Sequence, residues 1–232
     1  MAQRLLLVRH GRLPADCIGR LIGATDAPLD PVGQEQARAL AGRILRWTPQ
    51  VCYCSPLQRC RQTAAAMVPQ LPLHVDPDLR EIDFGQWERR TFAEAAAHDP
   101  SLVDRWAAFT PDFAFPGGEA VGDFLRRVRA AADRLIHAEP QIVLAITHAG
   151  VIRTIICYLL GLEPARYVAF DVPYAGVVVI DLFDGKGVLS ALERPEMAQG
   201  GQSHFRSDDV DRQGNVAGAA KIGTVPAEDA HG

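Results

Sequence analysis

Short, continuous apolar runs alternate along this chain with segments whose apolar residues recur every three or four positions. Leu5-Leu6-Leu7-Val8 is the first run. It ends in polar residues and Gly11, which predicts a strand buried on both faces, as in a parallel sheet. A loop rich in Gly, Pro and Asp follows. Asp30-Pro31 then reads as an N-cap with proline at the first helical position, opening a helix that runs to about Trp47. Val51-Cys52-Tyr53-Cys54 predicts a second strand. Ser55-Pro56 reads as another helix start, with Cys60, Ala64, Met67 and Val68 at helical spacing. Leu73-His74-Val75 predicts a short third strand. Residues 76–118 read as loops with short helices. A long helix then carries Val121, Phe124, Leu125, Val128, Ala131, Ala132 and Leu135 on one face. Residues 142–146 form the next buried strand and 151–160 the next helix. Runs at 177–182 and 188–192 finish the sheet.

This order predicts a layered α/β fold with a mostly parallel sheet. A chain of 232 residues fits one such domain with a tail. The boundary falls at 194. From Pro195 the composition turns to Gly, Gln, Ser, Asp and Ala without periodicity, which predicts a disordered tail over 195–232. No internal repeat is present.

Composition narrows the partners. A formal net charge of -4 gives no electrostatic footprint for nucleic acid, so any anion site is local and built from a few placed arginines. No apolar run approaches membrane-spanning length, and the run at Leu5 is too short for a signal-peptide core. The expected location is cytoplasmic, with no membrane partner. The five cysteines, Cys17, Cys52, Cys54, Cys60 and Cys157, form no Cys-x-x-Cys pair, and most read as small core residues in a reducing compartment. Cys52 and Cys54 share one strand face.

The candidate chemistry sits where buried strands end. One ends in Arg9-His10-Gly11 and another in Thr147-His148-Ala149-Gly150. In a parallel sheet all carboxyl ends lie on one edge, where ligands bind, so two imidazoles at two such ends can face one another. Glycine close behind each lets the backbone turn tightly. Arg59 falls in the first turn of the helix opened near Ser55-Pro56. A positive charge there opposes the helix dipole, so a ligand contact explains it better than helix formation does. Glu81 stands ahead of an aromatic-rich turn, Phe84-Gly85-Gln86-Trp87-Glu88, as a candidate general acid. Other phosphate chemistries fail on spacing. Cys54 and Arg59 are one residue too close for a cysteine phosphatase, Asp76-Pro77-Asp78-Leu79-Arg80 fails the aspartate pattern, and no phosphate-cradling Gly-Lys-Ser/Thr loop is present. His98-Asp99 reads as a helix end rather than part of a metal site.

Four segments in order, Leu6-Leu7-Val8-Arg9-His10-Gly11, Ser55-Pro56-Leu57-Gln58-Arg59, Leu79 to Glu88 and Thr147-His148-Ala149-Gly150, resemble the histidine phosphatase, or phosphoglycerate mutase-like, superfamily. The resemblance spans roughly residues 4–182. It implies a three-layer α/β sandwich and phosphoryl transfer to a small phosphorylated substrate, without metal or cofactor. It makes His10 the nucleophile, places Arg9, Arg59 and His148 around the phosphoryl oxygens, and gives Glu81 the proton. Gly11, Arg12, Arg20, Gly23, Thr25 and Ala149 are the expected substrate contacts. The loop after Gly11 departs from the family pattern at Arg12, Leu13 and Asp16, and Asp16 would repel phosphate if aimed inward. Phe84 to Glu88 resembles the phosphatase branch, and the altered loop resembles α-ribazole phosphatases. The alternatives are a cofactor-dependent phosphoglycerate mutase and a catalytically silent phosphate-binding scaffold. The sequence leaves a homodimer open.

Overall fold

The structure is a computed structural model and describes residues 3–184 and 186–195; the expected tail lies outside the described residues from 196 onward. Among the described residues six strands form one sheet: β1 Arg4–Arg9, β2 Val51–Cys54, β3 Leu73–Val75, β4 Ile142–Thr147, β5 Val177–Phe183 and β6 Lys186–Glu193. Their spatial order is β3-β2-β4-β1-β5-β6. The first four are parallel, while β5 runs antiparallel to β1 and β6 antiparallel to β5. The helices are α1 Pro31–Leu45, α2 Gln58–Met67, α3 Phe92–His98, α4 Pro100–Ala107, α5 Val121–Ile136 and α6 Ala149–Leu159.

Side-chain alternation on the strands divides the core into two layers. Leu6, Val8, Leu144 and Ile146 pack with Leu40 and Ile44 of α1 and Cys60, Ala64 and Met67 of α2. Leu5, Leu7, Val143 and Ala145 point the other way, to α5 and α6. The result is the expected three-layer sandwich with helices on both faces. Cys52 and Cys54 lie in the first of these layers, and burial pushes the Cys52 thiol up to about 12, as befits core packing rather than reactivity. His98 closes α3, and Asp99 caps α4. Among the described residues no helix is long and apolar enough to cross a membrane.

One helix start differs from its sequence reading. Asp30 caps α1 as expected, its carboxylate accepting the Gly33 N–H at 2.6 Å. Ser55, by contrast, does not cap α2, which begins at Gln58 with Leu57 as its uncapped N-cap. The Ser55 hydroxyl turns instead to His148. Proline at 56 supplied the helix-start signal, and tertiary contacts claimed the serine.

The turn after β1 lies directly on the first turn of α1. A β-carbon on Gly11 would stand 2.3 Å from the Gly33 carbonyl oxygen, and one on Gly33 would stand 2.2 Å from the Arg12 oxygen. Backbone meets backbone here, so neither side can yield cheaply. Helix propensity alone favours alanine over glycine by ~1 kcal/mol, whereas overpacking costs ~1–3 kcal/mol. Gly33→Ala is therefore expected to lower the urea midpoint; an unchanged or raised midpoint would show that α1 can slide off the turn.

Candidate active site

Parallel pairing of β1 with β4 sets Arg9 opposite Thr147, so His10 and His148 follow side by side at the carboxyl edge. The His10 N–H bonds the Thr147 carbonyl at 3.0 Å. The two imidazoles stand edge to face, 5.2 Å between centroids, and both are buried.

Each ring has one defined tautomer. His10 Nδ1 lies 2.8 Å from the Gly11 carbonyl oxygen. A carbonyl only accepts, so Nδ1 carries the proton and Nε2 keeps its lone pair. His148 Nδ1 accepts the Arg59 Nε–H at 3.2 Å, and its Nε2 therefore donates to Ser55 Oγ at 2.8 Å. Burial, then the charges of Arg9 and Arg59, hold the His10 pKa well below its ordinary value against the opposing Gly11 bond. Burial, then Arg59, His10 and Arg9, do the same to His148. Both rings are neutral at pH 7.

Arg59 is completely buried and joins three elements. Besides His148, it donates through Nη1 to the Thr25 carbonyl at 2.7 Å and through Nη2 to the Gly23 carbonyl at 2.8 Å. The N–H groups of the same loop face Glu88, whose carboxylate accepts from Gly23, Ala24, Thr25 and Phe84 at 2.9–3.2 Å and from the Thr25 hydroxyl. Loop 22–25 is thus clamped between a cation on its carbonyls and an anion on its amides.

Arg9 is held more loosely. Its Nη1 donates to the Val172 carbonyl at 2.8 Å and its plane covers the Tyr174 ring at 3.9 Å. Its Nε is buried without a partner among the described residues. A half-buried guanidinium so incompletely paired is costly unless an anion completes it.

Glu81 follows the short turn after β3 and is buried. It accepts the N–H of Gly150, in the first turn of α6, at 3.1 Å. A β-carbon at Gly150 would meet that carboxylate at 2.5 Å, so a larger residue there would push the Glu81 carboxylate aside. Arg127 holds the Glu81 backbone. It projects from the otherwise apolar face of α5 and makes five hydrogen bonds: two to the Glu119 carboxylate and one each to the carbonyls of Asp78, Arg80 and Glu81. The Thr147 hydroxyl donates to the Leu79 carbonyl from the other side at 2.6 Å.

The expected residues separate into two groups. Arg9, His10, Gly11, Gly23, Thr25, Arg59, Glu81, His148 and Ala149 gather at the strand edge or in the loop clamped to it. Arg12 pairs with Asp30 at 2.7 Å, and Arg20 turns to Glu94 and the Arg89 carbonyl. Asp16 pairs with Arg89 at 2.6 Å on the exposed surface and is not aimed inward. Sequence reasoning missed Ser55 as a histidine partner, Glu88 as the loop clamp, Arg127 and Tyr174. A charged residue inside the apolar stripe of α5 was the available signal for Arg127.

The family model for the histidine phosphatase superfamily (branch 1) matches residues 5–194. The chain belongs to the histidine phosphatase superfamily. It is 42% identical over 160 residues to the bifunctional protein Rv2228c of Mycobacterium tuberculosis, covering 66% of this chain but only 43% of that longer protein. It is 32% identical to the adenosylcobalamin/alpha-ribazole phosphatase of Salmonella typhimurium, over 83% of this chain and all of the relative. Among solved structures, the alpha-ribazole phosphatase of Shigella flexneri superposes with a TM-score of 0.74 at 29% identity, covering 84% of this chain and 98% of that one. The superfamily and fold expected from the four segments are both borne out.

The neutral, buried histidines link stability to pH. An unfolded histidine takes a proton below ~pH 6.5, while these two stay unprotonated in the fold. Unfolding therefore takes up protons, and stability falls as pH drops below 6.5, by ~1.4 kcal/mol per pH unit for each such histidine until its folded pKa is reached. His10→Gln is expected to remove one histidine's share of that slope in urea titrations between pH 5 and 7. An identical slope in the variant would mean that His10 is protonated in the fold.

Proposed function

We propose that this chain hydrolyses phosphomonoesters of small metabolites through a phosphohistidine on His10. The observation that carries this reading is the His10 tautomer. Nδ1–H is spent on the Gly11 carbonyl, which leaves Nε2 as a buried, unprotonated nucleophile beside the incompletely paired guanidinium of Arg9.

In the first step Nε2 bonds to phosphorus as the bond to the ester oxygen breaks. Glu81 gives its proton to that leaving oxygen. Arg9, Arg59 and His148 line the place where charge builds on the phosphoryl oxygens. The Arg59 Nε–H on His148 is the donor for which an arriving oxygen competes. In the second step water attacks phosphorus, the N–P bond breaks, and the Glu81 carboxylate takes the water's proton. The arginine charges do the work that a metal does in other phosphatases, so the mechanism calls for no cofactor.

The leading specific substrate is α-ribazole 5'-phosphate. Its support is the full-length likeness to relatives of that name. The loop from Gly11 to Thr25 and the region 91–118 are the surfaces that would read the leaving group. Arg12 and Arg20 could join only after leaving Asp30 and Glu94.

The test compares leaving groups. His10→Ala is expected to abolish turnover of every phosphomonoester. Glu81→Gln is expected to slow an alkyl ester such as α-ribazole 5'-phosphate by about 10²–10³-fold, with a much smaller effect on p-nitrophenyl phosphate, whose leaving oxygen needs no proton. Equal losses on both esters would remove Glu81 from the acid role. Robust phosphoglycerate mutase activity without phosphate release would replace the hydrolase reading.

A further inference from the structure

The antiparallel turn of β5 brings a residue to the site that the parallel strands could not. Because β5 runs against β1, its beginning, not its end, lies at the carboxyl edge. The lead-in 172–176 is bonded to the catalytic turn in both directions. The Arg9 N–H donates to the Gly176 carbonyl at 3.0 Å, and the Ala175 N–H donates to the His10 carbonyl at 3.1 Å. Ala175 is fully buried and holds φ at 55°, a left-handed backbone that costs a non-glycine residue ~1–2 kcal/mol. That conformation sets Tyr174 under the Arg9 guanidinium, with its ring centroid 5.6 Å from that of His10.

Arg9 needs such a support. Its only side-chain hydrogen bond among the described residues runs to Val172, from the same lead-in, and no carboxylate there bonds it. A single Nη1 bond leaves the guanidinium plane free to swing about that contact. A ring whose centroid lies 3.9 Å from the guanidinium carbon supports the group from its face and leaves the N–H edges available.

We propose that Tyr174 is a positioning residue for phosphoryl transfer: its ring face orients the Arg9 guanidinium so that the unpartnered N–H groups meet the phosphoryl oxygens beside His10. The proposal rests on the phosphomonoesterase reading. It assigns the work to the aromatic face and none to the phenol hydroxyl.

The experiment measures kcat/KM on p-nitrophenyl phosphate, inhibition by orthovanadate, which adopts the five-coordinate geometry of the transfer, and thermal midpoint. Tyr174→Leu is expected to lose about 30-fold in kcat/KM and a similar factor in vanadate affinity. Tyr174→Phe and Tyr174→Trp keep the ring face and are expected to stay within about threefold. In an Arg9→Met background, Tyr174→Leu is expected to cost nothing more, an outcome that general loosening of the fold would not give. A leucine variant within about threefold of wild type overturns the proposal. So does a phenylalanine variant as impaired as the leucine one, or a full additional loss in the Arg9→Met background. Tyr174→Met replaces the leucine variant if that one does not fold. A folded wild-type protein that turns over no phosphomonoester overturns the hydrolase reading, and this proposal with it.

Discussion

The site hangs from the register between β1 and β4. Pairing Arg9 with Thr147 puts the two residues that follow, His10 and His148, next to one another at the carboxyl edge. A slip of one residue would exchange the side chains that one strand offers to the two core layers and would separate the rings. That slip is prevented by the two core layers: Leu5 and Leu7 are buried against one pair of helices, Leu6 and Val8 against the other. Burial on both faces is thus what specifies the geometry of the chemistry, and it also keeps both imidazoles neutral.

Around that pair, charge is placed by backbone rather than by carboxylates. Arg59 is spent on loop carbonyls and His148, Arg9 on one carbonyl and an aromatic face. Among the described residues neither bonds an acid, although the chain carries more acidic than basic residues. Glu88 is engaged by the amides of loop 22–25 and Glu119 by Arg127, and Glu81 acts on Arg9 through space without bonding it. Drawing two guanidiniums out of water with no carboxylate bonded to either is costly. A dianionic phosphoryl group offsets that cost, which is why the arrangement favours this ligand over a neutral one.

Much of this was legible in the sequence, because period and punctuation carry local structure. Apolar runs ending in polar residues marked three of the parallel strands, β1, β2 and β4, and the expected core positions of α5 are all buried. Arg9, His10, Arg59, Glu81 and His148 were legible because each stands next to a strand end, a helix start or a turn. The unread residues are those whose task depends on distant partners. Ser55 resembled a helix cap until His148, 93 positions away, took its hydroxyl. Glu88 reaches back 63 to 65 positions to its amides. Tyr174 was hidden by direction. Sequence pattern marks β5 as a strand but does not say that it runs antiparallel, so its beginning gave no sign of lying at the active edge. Arg12 and Arg20 show the converse, since basic residues in the right loop were claimed by Asp30 and Glu94.

The central claim is that His10 acts through Nε2, because Nδ1 is tied to Gly11. Rapid quenching during turnover, followed by mapping of the acid-labile phosphate and assignment of the phosphorylated nitrogen by NMR, tests it most directly. The account predicts phosphate on Nε2 of His10, absent in His10→Ala. Phosphate on Nδ1, on a different residue, or no phosphoenzyme at all during turnover would contradict it.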